Sequence, residues 1–493
     1  MARPNWQLSI ALDDSAELPV FLQLARAIAD DIRRGRLKPD QRLPSSRGLA
    51  DVLRVHRNTI LAAYNELIAE GWLETRPARG TFVSADMPET RPRRFAKLPV
   101  GKVLRAKRPG YDLGDAQAPA RGTRPASIKY PLMGGLPDMR LIPETALARA
   151  YRRAVRHRGS ALLDYTDPQG HPPLREAILN MLRDLRGIVA EPDELLLTRG
   201  SQMALYLAGR VLIEPGDVVF VESFGYGPAW QALRMSGAKL IAIPVDEAGM
   251  NIDAFVAAAD KTPPRAVYLT PHHQFPTTAT LSPGRRLRLL ELARRRRFAI
   301  LEDDYDHEFH YDGRPIQPLA SADTSGSVVY VGTLSKVLAP GLRIGYAVAP
   351  RAVIERMVNY RSYVDSQGDA AVEAAVAELF EDGEMQRHVG RSRRIYRDRR
   401  EALVHELTTR LGDVVEARPS NGGLALWAKV ARGIDVNAWA ERALAAGVAF
   451  SPANLYTFDR RRRPFARFGF ATCTEDELVK AVKILRRTLP SRR

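Results

Sequence analysis

Cysteine is nearly missing from this 493-residue chain: Cys473 stands alone. No internal disulfide can form, and a reducing compartment is expected. No His-paired nucleophile signature surrounds Cys473, so it is read as inert. Long apolar runs are missing too. None approaches the roughly 20 residues that a membrane span needs. The opening residues, "MARPNWQLSIALDDS", carry acids where a signal peptide needs an apolar stretch. A cytoplasmic protein with no membrane partner is therefore expected.

Charge of one sign is less abundant than the total suggests. The formal net charge is +17, of which residues 1–84 carry only +2, residues 85–129 carry +7 and the remainder +8. Bulk charge therefore supports a polyanion partner weakly, and the case for nucleic acid rests on motif. At 45% hydrophobic and 27% charged residues the composition is that of an ordinary globular protein. Its length suggests two or more domains.

Residues 1–84 read as three helices and a hairpin. In "LPVFLQLARAIADDIRRGRL", Phe21, Leu24, Ala25, Ile28 and Ile32 fall at helical spacing. Ser45 is placed to cap a short helix, "SRGLADVL". In "RNTILAAYNELIAEG", Ile60, Tyr64, Leu67 and Ile68 form an apolar stripe that Gly71 ends. "WLETRPARGTFVS" reads as two short strands around Pro77–Gly80. This is the pattern of a winged helix-turn-helix, whose third helix enters the major groove. Arg57, Asn58 and Thr59 open that helix away from the stripe, where they reach base edges or phosphates. Arg47, and Arg79 with Gly80 at the wing tip, suit phosphate or minor-groove contact. The block resembles the GntR family of bacterial winged-helix regulators in the order and spacing of "GRLKPDQRLPSSRGLADVLRVHRNTILAAYNELIAEGWLETRPARGTFV". The resemblance implies double-stranded DNA contact through those six residues.

Residues 85–129 are rich in proline and basic residues and show no sustained periodicity, which reads as a solvated tether.

In residues 130–493, β-rich runs ("LLLT", "VVFVE", "KLIAIPV", "AVYLT", "FAILED", "SVVYVG") alternate with helical stretches. An α/β fold with a mostly parallel sheet is expected, with ligands at the carboxyl ends of the strands. The turn after "LLLT" offers Gly200, Ser201 and Gln202 at a helix start, an anion site. Tyr226 after "VVFVE" is placed to lie over a heterocycle or simply to pack. Asp303 and Tyr305, two apart on an extended segment, face one side. A buried carboxylate there can keep a pyridine nitrogen protonated. His307 and His310 lack the H-E-x-x-H spacing and no third ligand is evident, so no metal is expected. "VVYVGTLSKVLAPGLRIGY" then places Thr333, Ser335, Lys336 and Arg343 together. A desolvated lysine amine forms a Schiff base with an aldehyde, and the arginine fork suits a phosphate.

Together these residues resemble the fold-type-I, aspartate-aminotransferase-like family that binds pyridoxal 5′-phosphate (PLP), most specifically in "TLSKVLAPGLRIGY". The resemblance implies that Lys336 holds the cofactor, Asp303 pairs with the pyridine nitrogen, Tyr305 bonds the ring oxygen and Tyr226 stacks on the ring. Gly200, Ser201, Gln202, Thr333, Ser335 and Arg343 hold the phosphate. Tyr165 in "LDYTDPQGHPPLREAI" reaches the partner subunit's phosphate, and Arg467 in "RFGFA" binds a carboxylate. Where the family carries Asn-Pro-x-Gly this chain has "PHHQFPTTAT". Either His273 or Gln274 stands in for the asparagine, and Thr278 replaces the glycine.

The two halves in this order are similar to the MocR regulators. That likeness implies a transcription regulator that senses an amino compound, or PLP itself, by exchange at Lys336, in a head-to-tail homodimer. The rival expectation is a working aminotransferase with an accessory DNA-binding domain.

Overall fold

A computed structural model describes residues 18–86, 110–112, 128–313 and 315–491. Most of the expected tether therefore lies outside the described residues. The chain divides into two compact units, Met1–Gln117 and Ala118–Arg493.

The first unit holds α1 (Val20–Arg33), α2 (Ser46–Leu53), α3 (Arg57–Ala69), β1 (Leu73–Arg76) and β2 (Gly80–Val83). Leu24, Ala25, Ile28 and Ile32 of α1 share one core with Ile60, Tyr64 and Leu67 of α3. Ser45 caps α2, its Oγ accepting from Gly48 N at 3.1 Å. His56 caps α3, with Nδ1 accepting from Asn58 N at 3.2 Å. The buried Tyr64 hydroxyl donates to Pro44 O at 3.0 Å and ties the third helix to the loop before the second. β1 and β2 pair antiparallel with Arg76 opposite Gly80, so Arg79 sits in the turn that joins them.

The second unit runs through β3 (Tyr130–Leu132), α4 (Glu144–Arg158), α5 (Pro172–Arg186), β4 (Leu195–Thr198), α6 (Ser201–Leu212), β5 (Val218–Glu222), α7 (Gly227–Met235) and β6 (Lys239–Ile243). A two-residue ladder, β7 (Val245–Asp246) with β8 (Gly249–Met250), precedes α8 (Ile252–Lys261), β9 (Ala266–Leu269), α9 (Pro283–Arg296), β10 (Ala299–Asp304), α10 (Leu319–Ala322), β11 (Val328–Thr333) and β12 (Gly345–Val348). Then come α11 (Arg351–Val364), α12 (Ala370–Glu381), α13 (Glu384–Leu411), β13 (Val415–Glu416), β14 (Ala425–Val430), α14 (Val436–Ala445), β15 (Val448–Pro452), β16 (Phe465–Gly469) and α15 (Glu475–Arg487).

The large sheet has the order β4-β12-β11-β10-β9-β5-β6. All its ladders are parallel except the two made by β12, which runs against both neighbours. β4, β9 and β11 are buried along their whole length and β10 at every residue after Ala299, as a sheet covered on both faces requires. A second sheet, β13-β14-β16-β15-β3, joins Tyr130–Leu132 to strands from the far end of the chain. Its core includes Trp439, Phe450, Phe468 and the buried Cys473. No helix among the described residues is long and apolar enough to cross a membrane.

Candidate functional site

Parallel strands deliver their carboxyl ends to one edge of a sheet. Thr198, Glu222, Leu269, Asp304 and Thr333 end β4, β5, β9, β10 and β11. The reversed strand β12 begins at that same edge, with Gly345 in register with both Thr333 and Thr198. Arg343 therefore arrives beside the turn that opens α6. Its Nη2 donates to Arg199 O at 2.9 Å, and its backbone is left-handed at φ 55°. Gly200 caps α6 at φ 78°. A Cβ on Gly345 would meet Gly200 C at 2.5 Å and Ser201 N at 2.6 Å, so glycine is what lets the two segments touch. The result is a helix N-terminus with an exposed guanidinium alongside, an anion cradle by its chemistry. Ser335 N donates to Thr333 Oγ1 at 3.1 Å, and Ser335 Oγ is buried with no hydrogen-bond partner among the described residues.

Asp303 is the penultimate residue of β10, the next strand but one. It is 5% exposed. Its Oδ2 accepts from Tyr268 OH at 2.8 Å, while Oδ1 is buried without a hydrogen-bond partner among the described residues. Burial raises its pKa to about 7, against the pull of the Tyr268 hydroxyl and the nearby Lys336 ammonium. Glu222 behind it is also raised to about 7 by burial, with Thr270 N and Oγ1 donating to Oε2 at 3.1 and 3.0 Å. Lys336 is half-buried in the turn after β11. A protonatable carboxylate with an open lone pair, a lysine within its field and an anion cradle with a spare hydroxyl fit a phosphorylated, basic heterocyclic aldehyde.

β10 ends at Asp304, so Tyr305 lies in the bend that follows it. Its hydroxyl donates to His273 O at 3.0 Å. Phe275, which the sequence did not single out, draws the remaining residues together. Its ring meets Tyr226, Tyr305 and Tyr456 edge-on at 5.6, 5.9 and 5.2 Å, and the Arg467 guanidinium lies 4.6 Å from its centre. Arg467 is buried, with Nη1 donating to Pro276 O at 2.7 Å and Nε without a hydrogen-bond partner among the described residues. Gln202 Nε2 donates to Pro228 O at 2.8 Å, which leaves Ser201 and Gly200 as the freer members of that turn. Between the two stand-ins, Gln274 Nε2 is committed to Phe224 O and Phe275 O, both at 2.7 Å, and His273 Nδ1 to Asp306 Oδ1 at 2.8 Å. Thr278 keeps the left-handed backbone, φ 63°, that a glycine adopts without strain. Tyr165 is 86% exposed within this chain.

The expectation that His307 and His310 lack a third ligand needs correction. His272 and His273 come from the neighbouring loop to join His310, with His307 stacked on His272, and sequence separation hid the meeting.

On the small unit, Arg47, Arg57, Asn58, Arg79 and Gly80 are exposed, and Thr59 is half-buried. Arg57 Nε donates to Ser46 Oγ at 3.2 Å, bridging α3 to α2. Arg76 differs: it is paired with Asp40 and Glu74 and covers the Phe82 ring at 4.7 Å. Arg42, not anticipated, lies against the wing, where a Cβ on Gly80 would come 3.2 Å from its Nε.

A winged helix and an aminotransferase-type, PLP-dependent fold thus share one chain. Residues 21–83 match the gntR family of bacterial regulatory proteins, and residues 135–485 match the class I and II aminotransferases. The chain is 32% identical to the probable rhizopine catabolism regulatory protein MocR of Rhizobium meliloti, over 97% of this chain and 95% of the relative. It is 33% identical to the HTH-type transcriptional regulator TauR of Rhodobacter capsulatus, over 95% and 96%. Among solved structures it resembles LysN, the alpha-aminoadipate aminotransferase of Thermus thermophilus in complex with N-(5′-phosphopyridoxyl)-L-leucine. The TM-score is 0.69 at 30% identity, over 74% of this chain and 92% of that one. The chain belongs to the MocR-type, GntR-family transcription regulators with a class I and II aminotransferase domain.

Proposed function

We propose that this regulator changes its grip on operator DNA when an amino compound exchanges with Lys336. Pyridoxal phosphate, when bound, supplies an aldehyde carbon that condenses reversibly with primary amines. The protein supplies the rest. Lys336 Nζ is the resident amine that an incoming amine replaces. Asp303 Oδ1 would accept a hydrogen bond from a protonated ring nitrogen, whose positive charge would offset the burial of the carboxylate. Gly200, Ser201, Thr333, Ser335 and Arg343 bind the phosphate, with Gln202 orienting the turn. Tyr305 and Tyr226 position the ring from the Phe275 side, and Arg467 receives the carboxylate of an amino-acid effector.

Exchange biases the large unit between two states by its differential affinity for them. In a head-to-tail homodimer, with Tyr165 reaching the partner's site, that bias alters the spacing of two reading heads on DNA. Arg47, Arg57, Asn58, Thr59, Arg79 and Gly80 make the contacts. The observation that carries this reading is the buried Asp303 Oδ1, without a hydrogen-bond partner among the described residues and in the field of Lys336, in a chain that also presents exposed wing and helix arginines.

The test is operator binding by fluorescence anisotropy across a panel of amino acids and polyamines. Wild type is expected to shift its DNA affinity with one class of amine, and Lys336→Ala to ignore all of them. A Lys336→Ala protein that still responds overturns the proposal. The full set of Lys336, Asp303 and Tyr305 also favours a residual transaminase half-reaction. Steady-state turnover of an amino donor with a keto acid would establish an enzyme in place of a sensor.

A further inference from the structure

Four of the chain's nine histidines gather in one place after the carboxyl ends of β9 and β10. His272 and His273 follow β9; His307 and His310 follow β10. Ring centroids stand 4.2 Å apart for His272 and His273, 4.3 Å for His272 and His307, and 6.0 Å for His273 and His310. We propose that His272, His273 and His310 bind a divalent transition-metal ion of the zinc class, an open three-imidazole site that leaves a fourth position for water or a small ligand.

Donor geometry comes first. One ring nitrogen from each of the three lies within 4.8 Å of the others. Nitrogens on a tetrahedral zinc stand roughly 3.4 Å apart, so side-chain rotations of about an ångström close the set. The nitrogens are also uncommitted. Both ring nitrogens of His272, Nε2 of His273 and Nδ1 of His310 are buried without hydrogen-bond partners among the described residues. Such orphans are rare in a packed interior, and several facing one point call for an occupant.

Charge supplies an independent observation. Asp306 is 1% exposed, and in its only side-chain hydrogen bond among the described residues Oδ1 accepts from His273 Nδ1 at 2.8 Å; its Oδ2 has none. A buried carboxylate with one oxygen left without a partner is costly unless a cation stands nearby. A cation on the far nitrogen, Nε2, completes the carboxylate–histidine–metal relay found behind many metal ligands. Asp304 orients His307 in the same manner, its Oδ2 at 3.0 Å from His307 Nδ1.

Access is provided by His310, which is half-buried. Gly422 faces it across a bridge, and a Cβ there would fall 2.4 Å from His273 Nε2, so a bare backbone is what keeps the donor clear. Because His273 O also accepts from Tyr305, an ion here would pin the loop that carries the Phe275 side of the cofactor pocket.

Zinc affinity of the chelator-treated full-length chain is the test, measured by competition with a chromophoric chelator, with cobalt(II) absorption as the ligand probe. Wild type is expected to bind one equivalent. His272→Asn and His310→Gln are each expected to weaken it at least 30-fold, and Asp306→Asn tenfold or more, the range seen when an outer carboxylate is lost. Cobalt should give visible bands in wild type that His310→Gln abolishes, while unchanged circular dichroism and PLP absorbance show the fold intact. Equal zinc affinity in wild type and His310→Gln, or cobalt bound without imidazole ligation, overturns the proposal and leaves a packed histidine cluster only.

Discussion

A Cβ on Gly200 would fall 2.6 Å from Arg343 Nη2, so the helix start and the guanidinium that together form the anion cradle are in contact through a hydrogen atom's worth of space. Gly200→Ala must push the arginine aside and hold φ 78°, a conformation that costs an L-residue about 1–3 kcal/mol. The PLP dissociation constant is expected to rise at least tenfold, about 1.4 kcal/mol. Titration of the cofactor-free protein by absorbance checks this, with circular dichroism confirming the fold.

Asp303 predicts a pH signature. Its folded pKa, about 7, lies above the ordinary carboxylate value because of burial. The folded state therefore binds its proton more tightly than the unfolded chain. The stability it contributes is fully present below pH 4 and is lost as pH rises towards and through 7. Compared with Asp303→Asn, cofactor-free wild type should lose stability between pH 5 and 7 with a slope of at most about 1.4 kcal/mol per pH unit. Urea midpoints at several pH values read the difference, and parallel curves for the two proteins would contradict it.

The arginines of the small unit are not equivalent. Removing a phosphate contact lowers the salt slope of DNA affinity by about 0.9 for each charge lost. Arg57→Ala and Arg79→Ala should each show that loss. Arg76→Ala should leave the slope unchanged, since Asp40 and Glu74 already neutralise it. Operator binding at several salt concentrations separates the three.

Arg467 separates classes of effector. Loss of a charge-assisted bond to a carboxylate costs about 1.5–3 kcal/mol, so Arg467→Ala should weaken α-amino acids by tenfold to a hundredfold. Amines without a carboxylate should bind as before. Spectral titration of the PLP-loaded variant with matched pairs, an amino acid and its decarboxylated amine, makes the comparison.

Six of the seven large-sheet strands were legible as apolar runs between helices. The seventh, Gly345–Val348, was not, because it is short, opens on glycine and runs against its neighbours. That reversed strand is what carries Arg343 to the cradle. Lys336, Asp303 and Arg343 stood out by residue type at strand ends. Tyr268, Glu222 and Phe275 did not, since a tyrosine or phenylalanine in an apolar run looks like core and reveals its polar or edge-on partner only through contacts from distant segments. The histidine meeting was hidden for the same reason: two pairs 34 residues apart become neighbours only when β9 and β10 lie side by side.

Cys473 is 1% exposed in the core of the second sheet, and burial raises its thiol pKa to about 11. A sulfhydryl so protonated and enclosed is a poor target for maleimides. The wild-type chain is thus close to a blank background for site-directed labelling. Single surface cysteines placed on the two units would accept dyes without prior removal of the native one, so that the distance between the units can be followed in solution by energy transfer as amines are added.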